Sequence, residues 1–265
     1  MEIFWREIGE FAVRINCLSE DRDRSVRRMF GARRPPDRID PADSFELTIR
    51  HGCEANVQGL DTTVTKTPEG GWLFERPDYR LEISPDYRSA DITYYDYIGL
   101  RCVLINWFSA VAARRNWGLV VHSSCVIHNG EAYLFAGYSG AGKTTVATIS
   151  RPRGLLSDEA SLVKLAPDQP PLVYDSPMRS SLLQPAPVRC APLKAVYFLR
   201  KSPFIRIHKI AGSQAFLYLF DKIWYWPHDP ALTAEMIRMS KRLVESVPTY
   251  GLEFQKNDLF WEAIS

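Results

Sequence analysis

Eight residues constrain this chain more than any others: Gly137-Tyr138-Ser139-Gly140-Ala141-Gly142-Lys143-Thr144 match G-x-x-x-x-G-K-[ST]. They follow the apolar run Ala132 to Ala136, which reads as a buried strand, and precede helix-forming residues from Thr145 to Ile149. Strand, glycine-rich turn and helix therefore occur in the order that a phosphate-binding loop requires. Glycine allows successive main-chain N–H groups to point inward at a polyphosphate, and a helix opening at Lys143 adds its partial positive charge. In such a loop Gly137, Ser139, Gly140, Ala141, Gly142 and Thr145 cradle the phosphates, Lys143 reaches the β- and γ-phosphates, and the Thr144 hydroxyl sits on Mg²⁺.

With 265 residues the chain can bury a substantial core as one large or two small domains. The 33 Lys and Arg against 31 Asp and Glu leave it near neutrality, so nothing global points to nucleic acid or to an anionic membrane. The locally basic stretch Arg22 to Arg38 interleaves acids with bases, the pattern of a solvated helix face. Its five cysteines, Cys17, Cys53, Cys102, Cys125 and Cys190, are odd in number and lack a C-x-x-C pair, as expected for free thiols in a reducing cytoplasm. No secretory signal is visible at the N-terminus, and the apolar segment Cys102 to Ala113 falls short of a span of about 20 residues. A soluble cytoplasmic protein is the expectation.

The first 95 residues read as a small, β-rich, largely antiparallel subdomain. Strands are expected at Phe45 to Arg50, Thr62 to Thr67, Trp72 to Glu75, Tyr79 to Ile83 and Ile92 to Tyr95, with a basic helix from Arg22 to Phe30 and a proline-rich loop from Arg33 to Pro41. From Asp96 the period changes, and Leu100, Leu104, Trp107 and Val111 recur at helical spacing. Residues 96–265 are accordingly assigned to a second, α/β domain with a mixed sheet flanked by helices. Within it, Leu119 to Ile127 and Ala132 to Ala136 form a hairpin across Asn129-Gly130. This hairpin feeds the loop, whereas the strand before most such loops belongs to a parallel sheet. Ala195 to Leu199 and Phe204 to His208 read as a strand pair, Ser213 to Ile223 and Leu232 to Ser246 as helices, Tyr250 to Phe254 as a late strand and Leu259 to Ile264 as a closing helix. The aromatic cluster from Phe216 to Trp226 is assigned to helix packing.

Phosphoryl transfer needs more than a loop; it needs charge neutralisation and a group that orients or deprotonates the acceptor. Asp158 and Glu159 end a short apolar strand, Gly154 to Ser157. Successive strand residues face opposite ways, so one acid can approach the acceptor while the other reaches toward Mg²⁺. The alternative is a solvated turn pair. His122, in the first arm of the hairpin, could lie near the γ-phosphate or be a hydrogen-bonded core residue.

Together, Val121 to Ser124, Asn129-Gly130, Phe135 to Thr145 and Leu156 to Glu159 resemble the catalytic domain of HPr kinase/phosphorylase. They look closer still to the shorter HPr-kinase-like proteins of modified-peptide biosynthesis, including lasso-peptide precursor kinases. The resemblance covers His122 to Leu165 by motif and the rest of the C-terminal half by order of elements. It implies an HPr-kinase-like P-loop domain in which Asp158 is the general base, Glu159 and Thr144 serve the metal, and His122 sits near the base. Arg179 falls where a cation could stabilise the transferring phosphoryl group; the alternative for a lone arginine near a turn is a solvated side chain. Glu159 stands where that family usually has a second Asp, and the family's glycine-rich segment after the acids and its arginine-rich C-terminal region are not found.

The functional expectation is an ATP- and Mg²⁺-dependent kinase that phosphorylates a hydroxyl, Ser or Thr, of a peptide or small protein. A non-catalytic nucleotide-binding module of a biosynthetic complex and a kinase for a small-molecule hydroxyl are the alternatives. Neither nucleic acid nor membrane is expected as a partner, and because the HPr enzymes assemble, a homo-oligomer is an open expectation.

Overall fold

A helix that is apolar on every side is stable only when surrounded, and Tyr97–Arg114 (α2) is such a helix: Leu100, Val103, Leu104, Trp107, Phe108 and Val111 are all fully buried. In the computed structural model, which describes residues 2–18, 24–31, 36, 37, 39–52, 61–184 and 186–264, α2 lies against β6 (Tyr79–Ile83) and β7 (Ser89–Tyr94). Edge-on ring contacts from Trp107 to Phe45 and a tilted contact from Phe108 to Phe11, both at 6.0 Å, extend this packing. The chain divides into two compact units, Met1–Arg114 with Tyr225–Leu232, and Arg115–Trp224 with Thr233–Ser265. The boundary expected after residue 95 thus moves beyond α2, because the helix buries its apolar surface on the first sheet.

That sheet has the order β1-β2-β3-β7-β6-β5-β4, where the remaining strands are β1 (Glu2–Ile8), β2 (Phe11–Cys17), β3 (Ser44–His51), β4 (Thr63–Lys66) and β5 (Trp72–Arg76). Four of its six pairings are antiparallel, as expected, while β2 pairs β3 and β3 pairs β7 in parallel. A parallel pair needs a crossover, and α1 (Arg24–Phe30) stands between β2 and β3. The expected helix start at Arg22, the loop residues Arg33 to Pro35 and Cys53 lie outside the described residues; the other four cysteines are free. Among the described residues no helix is long and apolar enough to cross a membrane.

The segment Tyr225–Leu232 belongs to this first unit through His228. Its imidazole lies 5.0 Å from the Trp72 ring, 5.1 Å from Phe74 and 5.7 Å from Tyr225. Nδ1 is 2.7 Å from the Trp226 carbonyl, which can only accept, so Nδ1 carries the proton and Nε2 accepts from the Tyr87 hydroxyl at 3.1 Å. Burial lowers the His228 pKa, outweighing the Trp226 carbonyl and Asp229, which raise it. The unfolded chain therefore takes up this proton first, and the stability that neutral His228 confers is complete above pH 6.5 and is lost as the pH falls from there through the depressed folded value. Melting temperature should accordingly drop between pH 7 and pH 5 more steeply in the wild type than in His228→Gln; equal slopes would refute this assignment.

The second unit is built on an eight-stranded mixed sheet, which bears out the α/β class. Its strands are β8 (Gly118–His128), β9 (Glu131–Ala136), β10 (Gly154–Ser157), β11 (Ala160–Lys164), β12 (Leu172–Tyr174), β13 (Cys190–Lys201), β14 (Arg206–Ile210) and β15 (Thr249–Phe254). Helices α3 (Lys143–Ile149), α4 (Gly212–Phe220), α5 (Pro230–Ser246) and α6 (Phe260–Ile264) accompany them. The Asn129-Gly130 hairpin forms as expected, with φ of 51° and 81°. The strand β9 is antiparallel to β8 but parallel to β13, so the loop leaves a strand flanked by one neighbour of each sense. The expected pairing of the 195–199 and 204–208 segments does not occur: β15 inserts between β13 and β14, parallel to the first and antiparallel to the second. Under the loop, Phe135, Val146, Tyr197, Phe254, Phe260 and Trp261 form one buried cluster that fixes α3 and α6 to the sheet.

Candidate phosphate-binding site

One long strand organises the site. Along one edge of β8, residues Gly118 to His122 pair with β11 and Cys125 to Ile127 with β10, so β10 and β11 form a single interrupted partner. The interruption is Asp158-Glu159, across which the register is kept, while one register shift falls just before it, between Leu155 and Ser157. Along the other edge, Ser123 to His128 pair with β9, and the edge passes at His122 to the Lys222 to Trp224 segment, through His122 N–H donating to Lys222 O at 2.7 Å and Trp224 N–H to Val120 O at 2.8 Å. Ala136, the last residue before the loop, stands opposite Ser123, whose N–H donates to Glu159 O at 3.2 Å. Register alone therefore brings the loop entrance, His122, Glu159 and Lys222 to one level of the sheet.

The loop has the expected form. Gly140 and Gly142 adopt φ of 79° and 111°, and Ala141 N–H donates to Tyr138 O at 3.0 Å. Ser139, Gly140 and the Thr144 side of the loop are exposed, whereas Lys143 is buried. Its Nζ donates to Gly137 O at 2.9 Å and Tyr138 O at 3.0 Å, so the ammonium is folded back on the loop's own carbonyls. Burial lowers its pKa, the negative charge of Glu159 opposes that, and the positive charge of Lys222 adds to it. Within the loop Gly142 tolerates change poorly: a Cβ there would combine positive φ with a 2.7 Å approach to Phe254 Cζ, and Phe254 is itself held against Phe260 at 5.9 Å. Gly142→Ala should cost about 2 kcal/mol and remove nucleotide-dependent stabilisation, measurable as thermal melts with and without ATP.

The two acids separate, as alternation requires. Asp158 is fully buried; its Oδ1 accepts from Ser180 N–H at 2.8 Å, and its Oδ2 from the N–H groups of Ser181 and Leu182, each at 2.8 Å. The carboxylate is an anchor for the 180–182 backbone, a fully buried placement where the expectation was an acid approaching the acceptor. Glu159 turns the other way. Its carboxylate lies 3.5 Å from His122 Nε2, with the side chains 18% and 20% exposed, and its charge reaches Lys143. That separation suits an ion pair and is longer than a good hydrogen bond. The His122 ring packs on Trp224 at 4.6 Å.

Arg179 is likewise corrected. It is 1% exposed and donates to the carbonyls of Ser176, Leu182, Leu155 and Leu156 and to the Asp175 carboxylate at 2.6 Å. A guanidinium so committed ties the 175–182 segment to β10 and does not reach a phosphoryl group. Asp158 and Arg179 thus clasp one segment from two sides.

One residue of the site carried no sequence signal. Lys222, also buried, bonds the Asp221 carboxylate and stands 3.2 Å over the Tyr138 ring. Lys222 and a hydrogen bond from Tyr138 together lower the Asp221 pKa. Among the described residues no three His, Cys, Asp or Glu are grouped to hold a metal ion. Mg²⁺ commonly relies on one or two protein oxygens plus substrate phosphates, and the exposed Thr144 hydroxyl fits that mode. Beside α3 a cavity of about 550 Å³ is lined by Thr145, Lys201, Phe254, Gln255 and Lys256 among others. A second, lined by residues around Pro167 to Pro171 and by Arg242, contains none of the expected site residues. No protein-family model matches the sequence, and no curated protein sequence matches it.

Proposed function

We propose that this chain is an ATP- and Mg²⁺-dependent kinase of the HPr-kinase-like type that transfers the γ-phosphoryl group to a hydroxyl, Ser or Thr, of a peptide or small protein. The observation that carries this proposal is the convergence, at one level of the sheet, of a phosphate loop with Lys143 and a Glu159–His122 pair. The loop amides bind the phosphates. Lys143 exchanges two main-chain carbonyls for the β- and γ-phosphate oxygens, an exchange eased because a buried ammonium gains more from anions than from carbonyl dipoles. Mg²⁺ would be held by the Thr144 hydroxyl and the nucleotide's own oxygens, where it neutralises phosphate charge. Glu159 accepts the acceptor's proton as its oxygen attacks phosphorus and the bond to ADP breaks, and His122 fixes the carboxylate. Transfer of this kind is mostly positioning and electrostatics, which residues on paired strands supply.

The test is incubation of the purified protein with ATP, Mg²⁺ and a panel of Ser- and Thr-containing peptides, read as added phosphate by mass spectrometry. Acceptor-dependent conversion of ATP to ADP is expected. Stabilisation by ATP without any phosphorylated product across peptides and small hydroxyl compounds would overturn the kinase assignment in favour of a non-catalytic nucleotide-binding module.

A further inference from the structure

We infer that Lys222 is a second phosphate-contacting cation, which meets the terminal phosphate of a bound nucleoside triphosphate from the β8 side while Lys143 meets it from the loop. This inference rests on the nucleotide-binding assignment above and adds to it the residue that reads the γ-phosphate. A loose phosphoryl-transfer transition state spreads charge over three equatorial oxygens, more than one lysine can cover. Arg179, which the sequence offered for this task, is consumed by main-chain carbonyls. Lys222 has the opposite profile: its side chain is 7% exposed, and its ammonium leans on a half-exposed carboxylate, Asp221, and on the ring of Tyr138, a loop residue. The buried lysine is thus paired on one side with a carboxylate that solvent reaches and packed on the other against a ring of the loop.

Position decides which phosphate it serves. Lys222 takes over the edge of β8 at the point where β9 leaves it for the loop, and its carbonyl accepts from His122 N–H. The base pair Glu159–His122 must face the γ-phosphorus, so a cation adjoining His122 stands on the γ side and not on the α side. Lys143 and Lys222 are near enough for the positive charge of Lys222 to help lower the Lys143 pKa, a repulsion that an arriving polyphosphate would relieve. Tyr138 connects the two: its carbonyl holds Lys143 and its ring holds Lys222. Closure of the loop on phosphates would then release both ammonium groups together.

The experiment compares ATP·Mg²⁺ and ADP·Mg²⁺ binding by calorimetry in wild type, Lys222→Met and Lys222→Arg, with melting temperatures taken without nucleotide. Loss of one charge-assisted contact predicts a roughly 10- to 100-fold weaker ATP affinity for Lys222→Met, ADP affinity within about threefold of wild type, and partial recovery in Lys222→Arg. Equal loss for both nucleotides, or unchanged ATP affinity in Lys222→Met, overturns the role of Lys222 while leaving the site assignment standing. A fall in melting temperature that Lys222→Arg repairs, with no difference between ATP and ADP, assigns Lys222 to structure alone and also overturns it. A wild type that binds neither nucleotide overturns both the site and this inference.

Discussion

Asp158→Asn is expected to lower the stability of the fold before it can be judged as an enzyme. The native carboxylate accepts three main-chain N–H bonds from Ser180, Ser181 and Leu182 with no exposure to solvent. Asparagine has a single acceptor oxygen, and its amide would turn N–H groups toward N–H groups, leaving buried donors unpaired. Charge-assisted bonds of this type contribute about 1.5–3 kcal/mol each, and orphaned amides add a desolvation cost, so a loss of about 3–5 kcal/mol follows. For a unit of this size that is a fall in melting temperature of roughly 10 °C, to be read by calorimetry without nucleotide. Arg179→Met should behave similarly, because it releases the same segment from the carbonyls of Leu155 and Leu156. Since both residues hold residues 175–182, the double variant should lose less than the sum of the two. An Asp158→Asn protein that melts with the wild type yet transfers no phosphate would return the proton-accepting role to Asp158.

How far the residues announced this arrangement depended on the range of the interactions. The hairpin at Asn129-Gly130, the loop and the helix after it are local, and their turn chemistry is written in consecutive residues. The opposed facing of Asp158 and Glu159 followed from strand alternation. Which acid faces the loop did not, because it is set by the 180–182 amides, more than twenty residues away. Arg179 was misplaced for the same reason: nothing local distinguishes a guanidinium that reaches the distant carbonyls of Leu155 and Leu156 from one at a surface turn. The order of β13, β15 and β14 required a late strand to slip between two earlier ones, a long-range pairing that no periodicity encodes. Lys222 was invisible for a subtler reason. It follows a helix whose Phe216 and Phe220 rings stack on each other, so the segment read as helix packing although its backbone has turned to bridge β8. The strands β1 and β2 were also missed; β1 mixes charged and aromatic residues with few buried positions, as an edge strand does.

Glu159→Gln is expected to do the opposite of Asp158→Asn: to leave the fold and ATP affinity nearly intact and to remove transfer. Its side chain is partly exposed and touches His122 at 3.5 Å, so exchanging the carboxylate for an isosteric amide removes charge without opening a cavity. A positioned base contributes about 10²–10⁴-fold, so kcat should fall about 10³-fold while the ATP dissociation constant moves by no more than about threefold. The amide no longer accepts a proton, and it no longer offsets the positive field of Lys222 on Lys143, which should lower the Lys143 pKa further. As the pH is raised, ATP binding in Glu159→Gln should therefore fall off at a lower pH than in the wild type, and the lost transfer should not return on raising Mg²⁺. A variant whose transfer is restored by raising Mg²⁺ would show Glu159 to be a metal ligand, whereas one that stays inactive at saturating Mg²⁺ and ATP assigns it the proton. His122→Gln supplies the complementary measurement: if His122 only holds the carboxylate, it should lower kcat by about tenfold and leave the pH profile of transfer unchanged, while loss of an ionisation from that profile would make the imidazole itself the group that titrates.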